Sequence, residues 1–255
     1  MIDNTVLISG APMRFGGILF RQPTLEQIYR DPDVGKAVYD SYLYLVSLDV
    51  EGFLQATGLT DVYMKLPRDI REQIGIFDLL TAEPSWRALL LEALSFFTGS
   101  PVRYDPTAGE ILVDCGEEER VLDKERYDQA REFIMRSACL EYKAKQSELR
   151  FYNKRAKEAW ERLMKHREEM RKKPQKVDPS FSLWNIIGAV TSRHPSLNLT
   201  NIWQLTVYQL YDQFARVRAQ VAFDIYSSRW AVWGKDKLDQ SLWLNRNTTT
   251  KCKER

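Results

Sequence analysis

Between Trp203 and Val221 the apolar residues Trp203, Val207, Leu210, Phe214, Val217 and Val221 step by 4, 3, 4, 3 and 4. That spacing marks one face of an α-helix. Leu205, Tyr208, Tyr211 and Ala215 widen the face. At about 1.5 Å per residue the pattern predicts roughly seven turns over 199–226, opened by Asn198-Leu199-Thr200. A stripe of this length must be covered, by this chain or by another. Whatever the chain folds into has to supply that cover or leave it to a partner.

The remaining segments predict mostly helix. Val34–Ser47 places Val38, Tyr42, Leu45 and Val46 on one side, and Ser85–Thr98 repeats Leu89, Leu90, Ala93, Leu94 and Phe97 at helical spacing before Gly99-Ser100-Pro101 closes it. Thr24 and Gln27 are spaced for a capping box, and Asp31-Pro32 interrupts the helix they open. Glu51–Leu59 and Ile70–Leu80 read as short helices separated by Pro67, and Leu183–Val190 as another, stopped by His194-Pro195. Asp123 is placed to cap a helix whose stripe is Tyr127, Ala130, Phe133, Ile134 and Ala138.

Two stretches change period. Val6–Ser9 and Ile18–Phe20, with turn formers at Gly10-Ala11-Pro12 and Gly16-Gly17, predict an N-terminal strand pair. Val102–Tyr104 and Ile111–Val113 flank a turn at Asp105–Gly109, and Arg120–Leu122 supplies a third short strand. Such a ribbon is marginal alone and must pack on something. The expected fold is mainly α, a helical protein with a small antiparallel β element made of that N-terminal strand pair and a 102–122 hairpin. The expected organisation is a helical module with the β element over 1–140, a charged helix bridging 141–176, an aromatic-rich helical region over 177–244, and a disordered polar tail over 245–255.

Several chemistries find no signature. Asp3 stands where an export signal would carry Lys or Arg, and no apolar run approaches the ~20 residues of a membrane span, so no membrane contact is expected. Cys115, Cys139 and Cys252 form no CxxC pair, which suits a reducing compartment. His166 and His194 share no ligand spacing with them, so no metal is expected. Cys139 reads as a packed residue on the apolar side of the helix after Asp123. There is no GxSxG elbow, no GK[ST] follows Gly16-Gly17, and Glu117-Glu118-Glu119 read as solvated acids. The expectation is a non-enzyme with no catalytic residues and no cofactor. Asn198-Leu199-Thr200 and Asn247-Thr248-Thr249 read as chance glycosylation triplets.

Charge and aromatic content point to partners. Residues 143–176 hold 13 Lys/Arg and 5 Glu, a net of +8 in a chain whose total is +2. One reading is nucleic-acid binding, with Lys154, Arg155, Arg162, Arg171, Lys172 and Lys173 as a basic patch and Tyr152 and Trp160 as stacking rings. The other is a solvated helix, because Glu158–Arg162, Glu161–Lys165, Glu168–Lys172 and Glu169–Lys173 all lie at i,i+4 in the favourable order. Contact with an acidic protein is a third. Five of the seven tryptophans follow residue 183, which makes Trp203, Tyr208, Tyr211, Phe214, Trp230 and Trp233 the candidate partner interface, ordinary core being the alternative.

Certain phrases carry a resemblance. They are "FRQPTLEQIYR", "GIFDLLT", "ALSFFTG", the long "LNLTNIWQLTVYQLYDQFARV" and the late "WGKDKLDQSLW", arranged around the small β insert and the charged segment. In this layout the chain resembles the tail assembly chaperones of long-tailed bacteriophages, or a tail-morphogenesis protein encoded near them. The resemblance implies an assembly factor without chemistry of its own. It would bind tape-measure and tail-tube proteins in the host cytoplasm and leave before the tail is complete. A structural component of the finished tail or baseplate is the alternative, with the virion tail as its location.

Overall fold

The computed structural model describes residues 2–30, 35–116, 118–140 and 182–234. In chain order these form α1 (Asn4–Ser9), β1 (Met13–Phe15), β2 (Ile18–Phe20), α2 (Leu25–Tyr29), α3 (Gly35–Ser47), α4 (Val50–Thr57), α5 (Thr60–Met64), α6 (Arg68–Gln73), α7 (Ile76–Ala82) and α8 (Pro84–Thr98). Then come β3 (Val102–Asp105), β4 (Glu110–Asp114), β5 (Glu119–Leu122), α9 (Lys124–Ser137), α10 (Leu183–Arg193), a 3₁₀ turn (Ile202–Gln204) and α11 (Val207–Trp233). The protein is mainly helical with two small antiparallel sheets, β1-β2 and β3-β4-β5.

The expected strand at Val6–Ser9 is instead helix α1. Asp3 accepts the Thr5 backbone N–H, and Gly10, at φ +71, donates to the Leu7 carbonyl, so both ends are capped within a short span. Leu7 is buried by this arrangement. The strand pair survives with a different partner: Met13 faces Phe20 and Phe15 faces Ile18, and Gly16-Gly17 close the two-residue turn at positive φ. Ile70–Leu80 is also not one helix. It breaks at Gly75, whose N–H donates to Asp78 Oδ2 at 2.7 Å. Lys124 reaches into the break, donating to the Gln73 carbonyl at 2.7 Å and to Asp78 at 2.6 Å. A Cβ at Gly75 would sit 2.5 Å from Cε and 2.9 Å from Nζ of Lys124, so a side chain there would push the lysine's ammonium end out of the break.

Other expectations hold. The Thr24–Gln27 capping box is formed on both sides, Asp123 accepts from Arg126 N–H, and Gly99 caps α8 at φ +64. The β3-β4-β5 meander pairs Tyr104 with Ile111 and Ile111 with Leu122, and it packs as a marginal ribbon must: Ile111, Val113 and Leu122 are buried in the main core.

That core joins β1, β2, the β3-β4-β5 sheet, α3, α4, α7, α8 and α9. Aromatic rings hold its centre: Phe15 lies 5.8 Å from Phe20 and 6.1 Å from Phe133, and Phe77 lies 5.1 Å from Tyr127. A second cluster gathers Leu25, Ile186, Ile187, Val190, Ile202 and Leu210. It draws on α2 as well as on the later helices, so residues of the first half and the last third share a core.

Cys139 is not packed. Its backbone adopts φ +58, and it is exposed just beyond α9. The Cys139 N–H donates to the Arg136 carbonyl and the Leu140 N–H to the Met135 carbonyl at 2.8 Å, the pairing of a helix ended by a left-handed residue. Asp31-Pro32, the charged segment 141–176 with its ion pairs and its basic-patch residues, His166, Leu242, Trp243 and the tail all lie outside the described residues.

Candidate interaction surface

The long helix begins later than the apolar spacing predicts and runs further. Asn198 Oδ1 accepts from Thr200 N–H and Asn201 N–H, making a turn rather than a helix start, and the 3₁₀ turn over Ile202–Gln204 follows. Helix α11 opens at Thr206. Its Oγ1 accepts from Gln209 N–H at 3.2 Å, and Gln209 Oε1 accepts from Thr206 N–H at 2.9 Å. Gln209 also donates through Nε2 to the Ile8 carbonyl at 2.8 Å, tying the start of α11 to α1. Thr206 and Thr24, the caps of α11 and α2, pair as an isolated antiparallel bridge, and Leu25 N–H donates to the Leu205 carbonyl at 2.8 Å. The sequence did carry a sign of this start: Thr206-Val207-Tyr208-Gln209 repeats the T-x-x-Q spacing of Thr24–Gln27.

Only the first turns of α11 are covered. Leu210 is fully buried, and Asp212 is buried with Arg216 Nε 2.8 Å from its Oδ2. Among the described residues of α11 beyond Asp212 none is buried, and every one from Ser228 to Gly234 is exposed. Ile225 is 58%, Val232 70% and Trp233 68% exposed. Ile225 and Val232, seven residues or about two turns apart, and Trp233, next to Val232, are large apolar side chains facing water near the end of one helix, and they form the candidate surface. Covering each would contribute about 1.5–3 kcal/mol.

The six candidate aromatics divide between two environments. Trp203 precedes α11. It is half-buried, donates from Nε1 to the Leu199 carbonyl at 2.8 Å, carries the Arg30 guanidinium 4.8 Å above its ring and lies 6.5 Å from the Tyr29 ring. Tyr208 packs against the main core and Phe214 against the second cluster, with Arg218 5.7 Å from the Phe214 ring. Tyr211 is partly exposed, and it and Asp40 lie near enough to Tyr29 to oppose ionisation there. Burial first, then these two groups, push the Tyr29 phenol up to about 12. Trp230 and Trp233 stand at the far, exposed end, with Trp233 roughly 28 Å along the axis from Phe214. Trp203, Tyr208 and Phe214 thus anchor the helix, whereas Trp233 with Val232 and Ile225 faces outward. Periodicity marked one continuous seam and could not mark where its cover stops, because cover depends on α1, α9 and α10. Val232 and Ile225 were missed for the same reason: they lie beyond the seam's last step at Val221.

Residues 171–248 match the family model described as the YomV second domain. That family is phage-derived, and the likeness points to a phage origin for this part of the chain. The matched span contains α10, the 3₁₀ turn and α11, and so the whole candidate surface. No curated protein and no solved structure matches the chain. Among the described residues no helix is long and apolar enough to cross a membrane, and no three His, Cys, Asp or Glu side chains group as metal ligands would.

Proposed function

We propose that this chain is a non-enzymatic assembly factor of phage tail morphogenesis that binds a helical client, such as a tape-measure protein, in the host cytoplasm. The observation that carries the reading is the outward apolar end of α11, with Ile225, Val232 and Trp233 exposed inside a segment similar to a phage-derived family. A helix presenting an apolar stripe is suited to side-by-side packing with another helix, where indole rings make strong anchors. The anchored start of α11 supports the same reading. A client-binding arm needs a fixed base, and Thr206, Gln209 and Leu210 provide one. The chemistry offered is apolar contact plus the indole N–H of Trp233, which suits recognition rather than turnover.

Coexpression with the tape-measure and tail-tube proteins of the same phage, followed by copurification, tests the proposal. A stable complex is expected. Recovery of the chain alone from every such pairing would overturn the reading.

A further inference from the structure

We propose that a groove bounded by α3, α4, α7 and α9 is a docking site for a basic amphipathic helix of a partner protein. The groove has a volume of about 1010 Å³, and its apolar wall includes Tyr44, Leu48, Ile76, Phe77, Met135 and Leu140. Tyr44 is 53% and Leu140 37% exposed, so large apolar groups stand at its rim in water. The turn that ends α9 at Cys139 is what returns Leu140 toward the groove that Met135 also lines.

The charges of the lining are unequal. Among the described residues, Asp40, Asp49, Glu51 and Asp128 face Lys124 and Arg131, a net of −2. Counting the nearest partners outside the lining leaves that balance unchanged, since Lys36 pairs with Asp40 and Asp78 with Lys124. The two cations are directed at protein oxygens. Lys124 donates to Gln73 and Asp78, and Arg131 donates to the carbonyls of Val46 at 2.6 Å and Leu48 at 2.7 Å. The acids retain acceptor capacity. Asp49 Oδ1 takes one N–H, from Gly52, and Glu51 Oε1 takes one, from Gln55.

An apolar wall with an acidic rim complements a helix whose apolar stripe is flanked by Lys and Arg. This site is separate from the exposed end of α11 and does not depend on the function proposed above.

The probe is a fluorescein-labelled Leu/Lys amphipathic peptide of about 18 residues, or five helical turns, titrated with the full chain and followed by anisotropy. A Leu/Glu peptide of the same apolar face is the comparator. The Leu/Lys peptide is expected to bind and the Leu/Glu peptide not to. Tyr44→Ser, and separately Glu51→Lys with Asp128→Lys, should each weaken binding about tenfold or more while far-UV circular dichroism stays unchanged. Val232→Ser with Trp233→Ser should leave binding intact, and bound peptide should slow deuterium exchange over 43–52 and 128–140. Equal binding of both peptides, indifference to the groove substitutions, or loss through the α11 substitutions would overturn the proposal. So would a full chain that binds neither peptide because its own 143–176 segment or a second copy already fills the groove.

Discussion

Cys139 occupies a backbone position that glycine usually fills, at φ +58 after α9. A left-handed conformation costs a non-glycine residue about 1–2 kcal/mol, and glycine's greater unfolded-state freedom costs about 0.5–1. Cys139→Gly should therefore stabilise the protein by about 0.5–1 kcal/mol in urea unfolding. Thr206→Ala removes a formed capping box and should destabilise by about 1 kcal/mol in the same assay. At Tyr29 the sign is that of a raised phenol. Burial favours the neutral form, so its contribution to stability is complete below pH 10 and is lost as pH rises toward about 12. Absorbance titration at 295 nm should show one phenol ionising near 12 that Tyr29→Phe removes. Capping residues were legible in the sequence because Thr, Asp and Gln act on a backbone N–H within three residues. Cys139 was not, because its conformation follows from where α9 stops, and nothing in the local sequence marks that point with glycine.

At the level of elements, α11 combines a fixed start with an outward end. Leu210→Ala should cost about 2–5 kcal/mol, since it empties a fully buried site in the second cluster. Val232→Ser and Trp233→Ser should each change stability by no more than about 0.5 kcal/mol, because both side chains already face water. Chemical denaturation of the three variants checks the contrast, and a cost of several kcal/mol at Trp233 would mean that its surface is covered. Helical period was readable for α3, α8 and α9, where each buried face repeats through about two turns or more. It misled in short pieces. Val6–Ser9 is apolar enough to suit a strand, and only the caps at Asp3 and Gly10 make it a helix. Ile70–Leu80 keeps its period across a break that the distant Lys124 side chain occupies.

Across the whole molecule, the contacts that set the architecture join residues far apart in sequence. Thr24 pairs with Thr206, Gln209 reaches Ile8, and Arg131 holds the carbonyls at the end of α3. No local pattern announces such pairings, so the mainly helical class and the three-stranded ribbon were readable while the seat of α11 and the limit of its cover were not. These pairings explain how one face of α11 is buried near its start and how its end is presented outward. The central claim is that this presented end exists to be covered by a helical client. The direct measurement is copurification of the full chain with a coexpressed tape-measure protein, comparing wild type with the Val232→Ser, Trp233→Ser double variant. The account predicts a stable complex for wild type and at least a tenfold weaker one for the variant, with both chains equally folded. A complex indifferent to the two substitutions, or none with wild type, would contradict it.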